Sequence, residues 1–532
     1  MARAPSQPRR ARAPATRRAR HGGPVGRAGA LRRRMERLPL LVMFASVGSA
    51  AMLVPAAFGF SSGDADAARP FLHSALFFGL MCWLVAAARA SQTLRRPARN
   101  QLLALLGAYA LLPAMLAVPF SLSLGSTTPI NAWLEMVSAL TTTGFSLYDP
   151  ERLSDTVHLW RATVGWIGGL FLWISAAAIL APMNLGGFEV ASTMPAGEGG
   201  ARISQIVRVA EPSERLARYA RHLAPVYAAL TAMLWGLLTT AGTAPFEAAC
   251  LAMSTIATSG ITVAEGPLEI GLPAEAMIAA FLVFALSRGS FADEARGGIR
   301  RLRGDPELRL AAWIISGASA ILFLRHWIGA AEGAEASDIA AAFGALWGAG
   351  FTVLSFLTTT GFESSAWEEA REWSGLPAPG ILLMGLALIG GGVATTAGGV
   401  KLFRIYALAT HGARELDRLV YPSSVAGAGR AGRDVRRRGA QIAWVSFMLF
   451  AFSIAALTLA ISAVDVPFED SLVLAIAALS NTGPLAAGIS GLEVEVLTLP
   501  ASAKSVIAAG MILGRMELLA IVALLNPDLW RG

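Results

Sequence analysis

The sequence predicts an all-α polytopic membrane protein, built from four units of helix, half-helix, loop and helix that converge on one axis. Three observations predict it. Of the 532 residues 55% are hydrophobic and only 15% charged, which excludes an ordinary soluble chain. Apolar runs of about 20 residues, enough to cross a hydrocarbon core, recur from Leu38 onward. One short pattern occurs four times, as Thr142-Thr143-Gly144-Phe145, Thr258-Ser259-Gly260-Ile261, Thr359-Thr360-Gly361-Phe362 and Asn481-Thr482-Gly483-Pro484. Rings of backbone carbonyls made by converging loops strip and coordinate a monovalent cation.

The elements follow in order. Residues 1–37 form a basic tail that contains no Asp or Glu before Glu36, is rich in Arg, Ala and Pro, and has nothing to build a core with. Its composition resembles a transit peptide, but the excess of arginine reads better as a disordered cytoplasmic segment. Residues 38–100 hold two spans, near 38–60 and 70–90. The first unit occupies 101–200, with spans near 101–122 and 157–182 and a short apolar piece near 130–141. The second, 201–300, has spans near 221–242 and 271–288 and a short piece near 244–257. The third, 301–430, has spans near 308–328 and 376–410 and a short piece near 338–357. The fourth, 431–532, has spans near 439–463 and 501–525 and a short piece near 468–480. The short pieces read as re-entrant half-helices, tolerated at membrane depth only where they line a cavity.

Charge gives an orientation. Arginine-rich stretches around Arg89–Arg99, Arg202–Arg221, Arg296–Arg303 and Arg430–Arg438 alternate with acidic ones. The acidic ones hold Asp149, Glu151 and Asp155; Glu265 and Glu269; Glu363, Glu368, Glu369 and Glu372; Glu493 and Glu495. Positive-inside charge then predicts both termini in the cytoplasm and an even number of spans. Acidic mouths would raise the local cation concentration. The net charge of +8 is therefore a membrane signal, and no nucleic-acid partner is expected. Cys82 and Cys250 lie in apolar runs and read as reduced packing residues.

Finer details recur with the four-residue pattern. Pro129 and Pro245 stand at one offset before Gly144 and Gly260, where proline suits a first helical turn. Ser138, Ser254 and Ser355 share another offset, which Ala477 occupies in the fourth unit. Each half-helix would aim its partially negative C-terminal end at the axis and so favour a cation there. The loop glycine would supply φ > 0 and turn successive carbonyls toward that axis. A single Thr-Thr-Gly reads as a helix C-cap, whereas four in register read as a pathway.

These residues resemble the Trk/Ktr/HKT superfamily of potassium transporters, in particular its bacterial TrkH-type potassium-translocating subunit. The likeness rests on Ser138 through Phe145, Ser254 through Ile261, Ser355 through Phe362 and Asn481 through Pro484. It extends to Arg161 with Gly165-Trp-Ile-Gly-Gly169, to Gly390 through Arg404, and to Gly514-Arg-Met-Glu517 with Asn526 through Arg531. The resemblance implies four pseudo-symmetric pore units preceded by two extra transmembrane helices. It implies potassium uptake across the bacterial plasma (inner) membrane, the ion being substrate, with no covalent cofactor and membrane lipid around the chain. It also implies a homodimer and a cytosolic, TrkA-like nucleotide-binding regulatory subunit. The four quartets, Thr142 to Phe145, Thr258 to Ile261, Thr359 to Phe362 and Asn481 to Pro484, become the potassium-binding selectivity filter. Glycine at all four filter positions favours potassium in this family. The chain departs from the family pattern at Gly392-Val393-Ala394-Thr395, at Ile261 and at Pro484.

Gly390, Gly391, Gly392, Gly398 and Gly399 interrupt the apolar run 376–410. Each costs a helix about 1 kcal/mol relative to alanine, so a broken segment lining a cavity is expected. By resemblance it is the gating loop beneath the filter. Arg515 lies within an apolar run, where a charge must face a wet interior or a partner. By resemblance it projects into the pore and, with Lys401 and the loop glycines, belongs to the gate. Lys401 and Arg404, and separately Lys504, are expected to snorkel to an interface. Two other classes compete. Gly59-Phe-Ser61-Ser-Gly63 fits a nucleophile elbow but lacks the strand-to-helix context, and the six histidines are scattered, so no enzyme is expected. A secondary transporter for an organic solute, with broken helices at midplane, usually shows two repeats rather than four filter-like loops; a sodium-permeable or cation-coupled secondary transporter is the alternative reading.

Overall fold

A computed structural model describes residues 40–88, 97–183, 212–287, 305–329, 339–376, 378–420, 437–486 and 496–525. The basic tail, many of the arginines used to orient the chain, Glu493, Glu495 and the terminal Asn526–Arg531 motif lie outside the described residues. What is described is helical, with no strand and one isolated parallel bridge between Leu268 and Ser364.

Among the described residues seven helices are long and apolar enough to span a membrane: Leu41–Ser62, Ala65–Ala88, Leu102–Leu124, Asp155–Met183, Arg215–Thr240, Pro306–Arg325 and Gly439–Ser462. The protein is an integral membrane protein. On Ala65–Ala88 the side chains of Leu76, Phe77, Leu80 and Trp83 face outward, an arrangement suited to hydrocarbon surroundings. Asp155–Met183 is instead enclosed, with 72% of its apolar window buried.

Three of the ten expected spans are not continuous helices. The segment near 271–288 is Leu272–Leu282 followed by a 3-10 turn, Val283–Leu286. The segment 376–410 is Pro379–Ile389, an irregular stretch, and Leu402–Val420. The segment 501–525 is Ala501–Met516 and Leu518–Leu525, parted at Glu517, whose φ is 65°. The breaks in the second of these follow from its glycines; the other two have no such sequence mark.

The four half-helices are Pro129–Leu140, Pro245–Ala257, Ile339–Leu357 and Phe468–Ser480. Thr128 caps the first by accepting from the backbone of Asn131, and Pro129 and Pro245 occupy first-turn positions. Each packs against the helix that completes the unit before it. Pro245–Ala257 lies on Asp155–Ser175, Ile339–Leu357 on Leu272–Leu282, Phe468–Ser480 on Pro379–Ile389, and Pro129–Leu140 on Ala501–Met516. The last contact returns to the first unit and closes a ring. Its packed interior includes Leu134, Met136, Val137, Trp160, Phe356, Leu357 and Leu479, all buried.

Candidate functional site

The four quartets meet at the centre of the ring, and their glycines are the points of contact. A Cβ on Gly144 would lie 2.0 Å from the carbonyl oxygen of Ser259, and one on Gly260 would lie 2.2 Å from that of Thr360. On Gly361 it would meet Pro484, and on Gly483 it would lie 2.2 Å from the nitrogen of Phe145. Each loop therefore touches the next, one to two, two to three, three to four and four to one. Gly144, Gly260 and Gly361 have φ of 74°, 66° and 82°. Gly483 does not share this conformation. It opens a 3-10 turn, Gly483–Ala486, and its N–H donates to Thr143 O at 2.5 Å.

The second left-handed position falls on residues the sequence did not single out for it. Thr142, Thr258, Thr359 and Asn481, each two before the glycine, have φ of 51°, 50°, 59° and 53°. Left-handed backbone is a genuine outlier for a β-branched residue, and such strain persists only where surrounding contacts impose it. Those contacts are the same in each loop. The backbone oxygen at the shared serine offset accepts the N–H after the strained residue: Ser138 from Thr143 at 2.8 Å, and Ser254 from Ser259, Ser355 from Thr360 and Ala477 from Thr482 at 2.9 Å. The serine side chains add a second tie in loops one to three, in loop two between Ser254 Oγ and Ser259 Oγ at 3.1 Å. Ser138 Oγ donates to Phe145 O at 2.8 Å, and Ser355 Oγ accepts from Phe362 N at 2.6 Å. Ala477 keeps only the backbone part.

A cavity of about 420 Å³ opens on one side of the ring, lined by all four glycines together with Phe145 and Glu363. Asp149 and Glu265 also line it, as do Arg152 and Arg161. Arg161 is neutralised by Glu135 at 2.7 Å, both side chains being buried. Burial holds the Glu363 carboxyl up at about 7, against the downward pull of Arg371.

On the other side of the loops lies the irregular stretch 390–401. Gly398 N donates to Thr359 Oγ1 at 2.6 Å, and a Cβ on Gly398 would lie 1.9 Å from Ser480 O. Thr396 Oγ1 donates to Ile256 O at 3.4 Å. Arg515 Nη1 donates to Thr396 O at 2.7 Å, beside Tyr109 and Tyr227. The stretch is thus held against the ends of the second, third and fourth half-helices. Its base is secured by Gly392 N to Ala285 O, Val393 N to Glu307 Oε1 and Leu402 N to Gly391 O, each at 2.9 Å. Gly390 and Gly399, at φ of 72° and 75°, pack against each other where the chain enters and leaves.

The expected snorkelling is corrected for three basic residues. Lys401 is buried at φ 86°, and its Nζ donates to Ala397 O within the irregular stretch. Arg404 pairs with Glu517 at 2.8 Å, with side chains only 5% and 12% exposed. Lys504 is buried and donates to Leu497 O at 2.8 Å. Burying a charge is costly unless it is paired or hydrogen-bonded, and each of these cations meets an acceptor inside the protein. Three features were missed altogether: the Arg404–Glu517 pair, the Arg161–Glu135 pair and the buried carboxylate Glu275. None has a local pattern, because their partners are distant in the chain.

Comparison with known proteins gives one consistent result. Residues 318–528 match the TrkH family model, described as a cation transport protein. The Trk system potassium uptake protein TrkH of Vibrio parahaemolyticus is 27% identical over 507 residues, covering 93% of this chain and 98% of that protein. Its namesake in Escherichia coli K12 is 28% identical over 422 residues, covering 78% and 82%. The crystal structure of the potassium transporter TrkH from Vibrio parahaemolyticus superposes with a TM-score of 0.76 at 24% identity, over 94% of this chain and 99% of that one. The likeness to TrkH-type proteins read from the loop motifs thus recurs in these comparisons, and the fold is that of the TrkH crystal structure.

Proposed function

We propose that this TrkH-like chain takes up potassium ions across the membrane through the ring formed by its four loops. The observation that carries the reading is the left-handed position shared by all four loops, which in three of them alternates with a left-handed glycine. Thr142, Thr258, Thr359 and Asn481 are strained at the same register, and three of the four following glycines are left-handed as well. Alternating backbone of this kind turns successive carbonyls to one side, where together they replace the hydration shell of a monovalent cation. The C-terminal ends of the half-helices add partial negative charge at the same place. The similarity to Trk system potassium uptake proteins supports potassium as the ion.

In this reading the quartets from Thr142, Thr258, Thr359 and Asn481 onward are the selectivity filter, and the cavity lined by Glu363 is its outer mouth. Gly390, Gly391, Gly392, Gly398 and Gly399 give the intramembrane loop the backbone freedom to close the pathway. Arg515 places a cation below the filter and holds the loop through Thr396 O. Lys401 tightens the same loop. Both termini face the cytoplasm of a bacterial cell, the chain works as a homodimer, and a TrkA-like nucleotide-binding subunit acts on the gate from that side. Rubidium uptake in cells lacking their own potassium transporters, with and without sodium, tests the reading. Saturable uptake independent of sodium supports it. Uptake that requires sodium or an organic solute supports a coupled transporter instead.

A further inference from the structure

Glu275, at the start of Leu272–Leu282, is wholly buried and makes no ion pair among the described residues. Its carboxylate accepts four hydrogen bonds. Oε2 accepts from Ser364 Oγ and Trp347 Nε1, each at 2.7 Å. Oε1 accepts from Ser365 N and Ser365 Oγ, also at 2.7 Å. Glu275 belongs to the second unit, whereas all four donors belong to the third: Trp347 on its half-helix, and Ser364 and Ser365 just beyond its filter glycine. Leu268 N donates to Glu363 O at 3.0 Å and strengthens the same seam.

The first loop is held in a related way. Glu135 Oε2 accepts Leu147 N at 3.0 Å, while Oε1 pairs with Arg161. Loops one and three lie opposite each other in the ring and are the two that carry phenylalanine after the glycine. No buried carboxylate is seen in this part on loops two and four among the described residues. Carboxylates thus hold loops one and three, whereas loop two is tied by Ser254 Oγ to Ser259 Oγ and loop four by Asn481 Nδ2 to Thr143 Oγ1 and Met511 O.

We propose that Glu275 is a positioning residue that holds the rim of the third loop, Phe362 to Ser365, in the geometry that prefers potassium over sodium. This rests on the reading of the four loops as a potassium filter. Hydrogen bonds to a charged acceptor are the strong ones, and a carboxylate offers acceptors only. A glutamine would set one N–H against these donors and leave at least one of them unpaired. The rim would then relax, and with it the carbonyls that Phe362 and Gly361 present.

The test uses the full chain purified into liposomes, comparing the parent, Glu275→Gln and the double variant Ser364→Ala/Ser365→Ala. Bi-ionic reversal potentials give the potassium-to-sodium permeability ratio, and amide exchange over residues 362–366 reports the rim without needing flux. The expected result is a fall in the ratio of about tenfold in both variants, the size of one lost charge-assisted hydrogen bond. Faster exchange at 362–366 should accompany it, and adding Glu275→Gln to the double variant should lower the ratio no further. A ratio within about twofold of the parent, with parental exchange, overturns the proposal. Where Glu275→Gln does not fold, the double variant decides on the same criteria. A parent that carries no potassium overturns the filter reading and this role with it; parental potassium flux with an unchanged ratio overturns this role alone.

Discussion

At the scale of single residues, the strongest constraint is steric. Gly144 leaves no room for a side chain, since a Cβ there would lie 2.0 Å from Ser259 O. Gly144→Ser must push the second loop aside, and its hydroxyl adds a hydrogen-bonding group where the ring is tightest. Its potassium-over-sodium preference should fall by about tenfold or more, read from reversal potentials, and a parental ratio would count against the filter assignment. Glu363 supplies a pH dependence. Its carboxyl, raised by burial to about 7, is ionised above that value and neutral below it. The mouth therefore gains a negative charge as the pH rises, which draws in cations. Potassium flux at low concentration should increase between about pH 6 and about pH 8 on the mouth side, and Glu363→Gln should flatten that profile. An unaltered profile in the variant would assign the titration elsewhere. The glycines and shared serines were legible in the sequence because spacing alone exposes them. The left-handed threonines were not, because a β-branched residue adopts that conformation only when tertiary contacts force it. Glu275 was equally hidden, its serine partners lying 89 and 90 residues away.

At the scale of elements, the intramembrane loop and the broken last helix act on each other. Arg515 on Ala501–Met516 reaches Thr396 O, and Glu517 at the break reaches Arg404 just after the loop. One ties down the crest of the loop and the other its exit. Arg515→Ala should raise resting cation flux, since it removes both a charge below the filter and a hydrogen bond to the closed loop. Unchanged flux in reconstituted protein would argue against that role. Glu517→Gln acts mainly on stability. It removes one carboxylate partner from the largely buried Arg404, so thermal unfolding in detergent should move to lower temperature. The glycines of 390–399 made the loop's existence legible, because a helix does not tolerate them together. Its clasp was not legible: Lys401 and Arg404 look like ordinary membrane-edge cations until their buried partners are known. The breaks at 283–286 and at Glu517 were read as continuous spans because apolar composition reports depth in the bilayer, not helical continuity.

At the scale of the whole molecule, four unequal units close into one ring, and that closure makes a shared site possible. The ordered contacts of each half-helix with the preceding unit and the glycine-to-backbone contacts between neighbouring loops describe the same circuit at two radii. The circuit was foreseeable from four patterns in register, but its order and the buried carboxylates that hold loops one and three were not. Selectivity is accordingly expected to depend most on loops one and three, where serine ties reach Phe145 and Phe362 and carboxylate ties reach Leu147, Ser364 and Ser365. The central claim is that this ring passes potassium in preference to sodium, and the potassium–sodium bi-ionic potential of the purified chain in liposomes tests it most directly. The account predicts a potential set by the potassium gradient, reproduced with rubidium and present without any organic solute. A potential of zero under equal and opposite potassium and sodium gradients would contradict it.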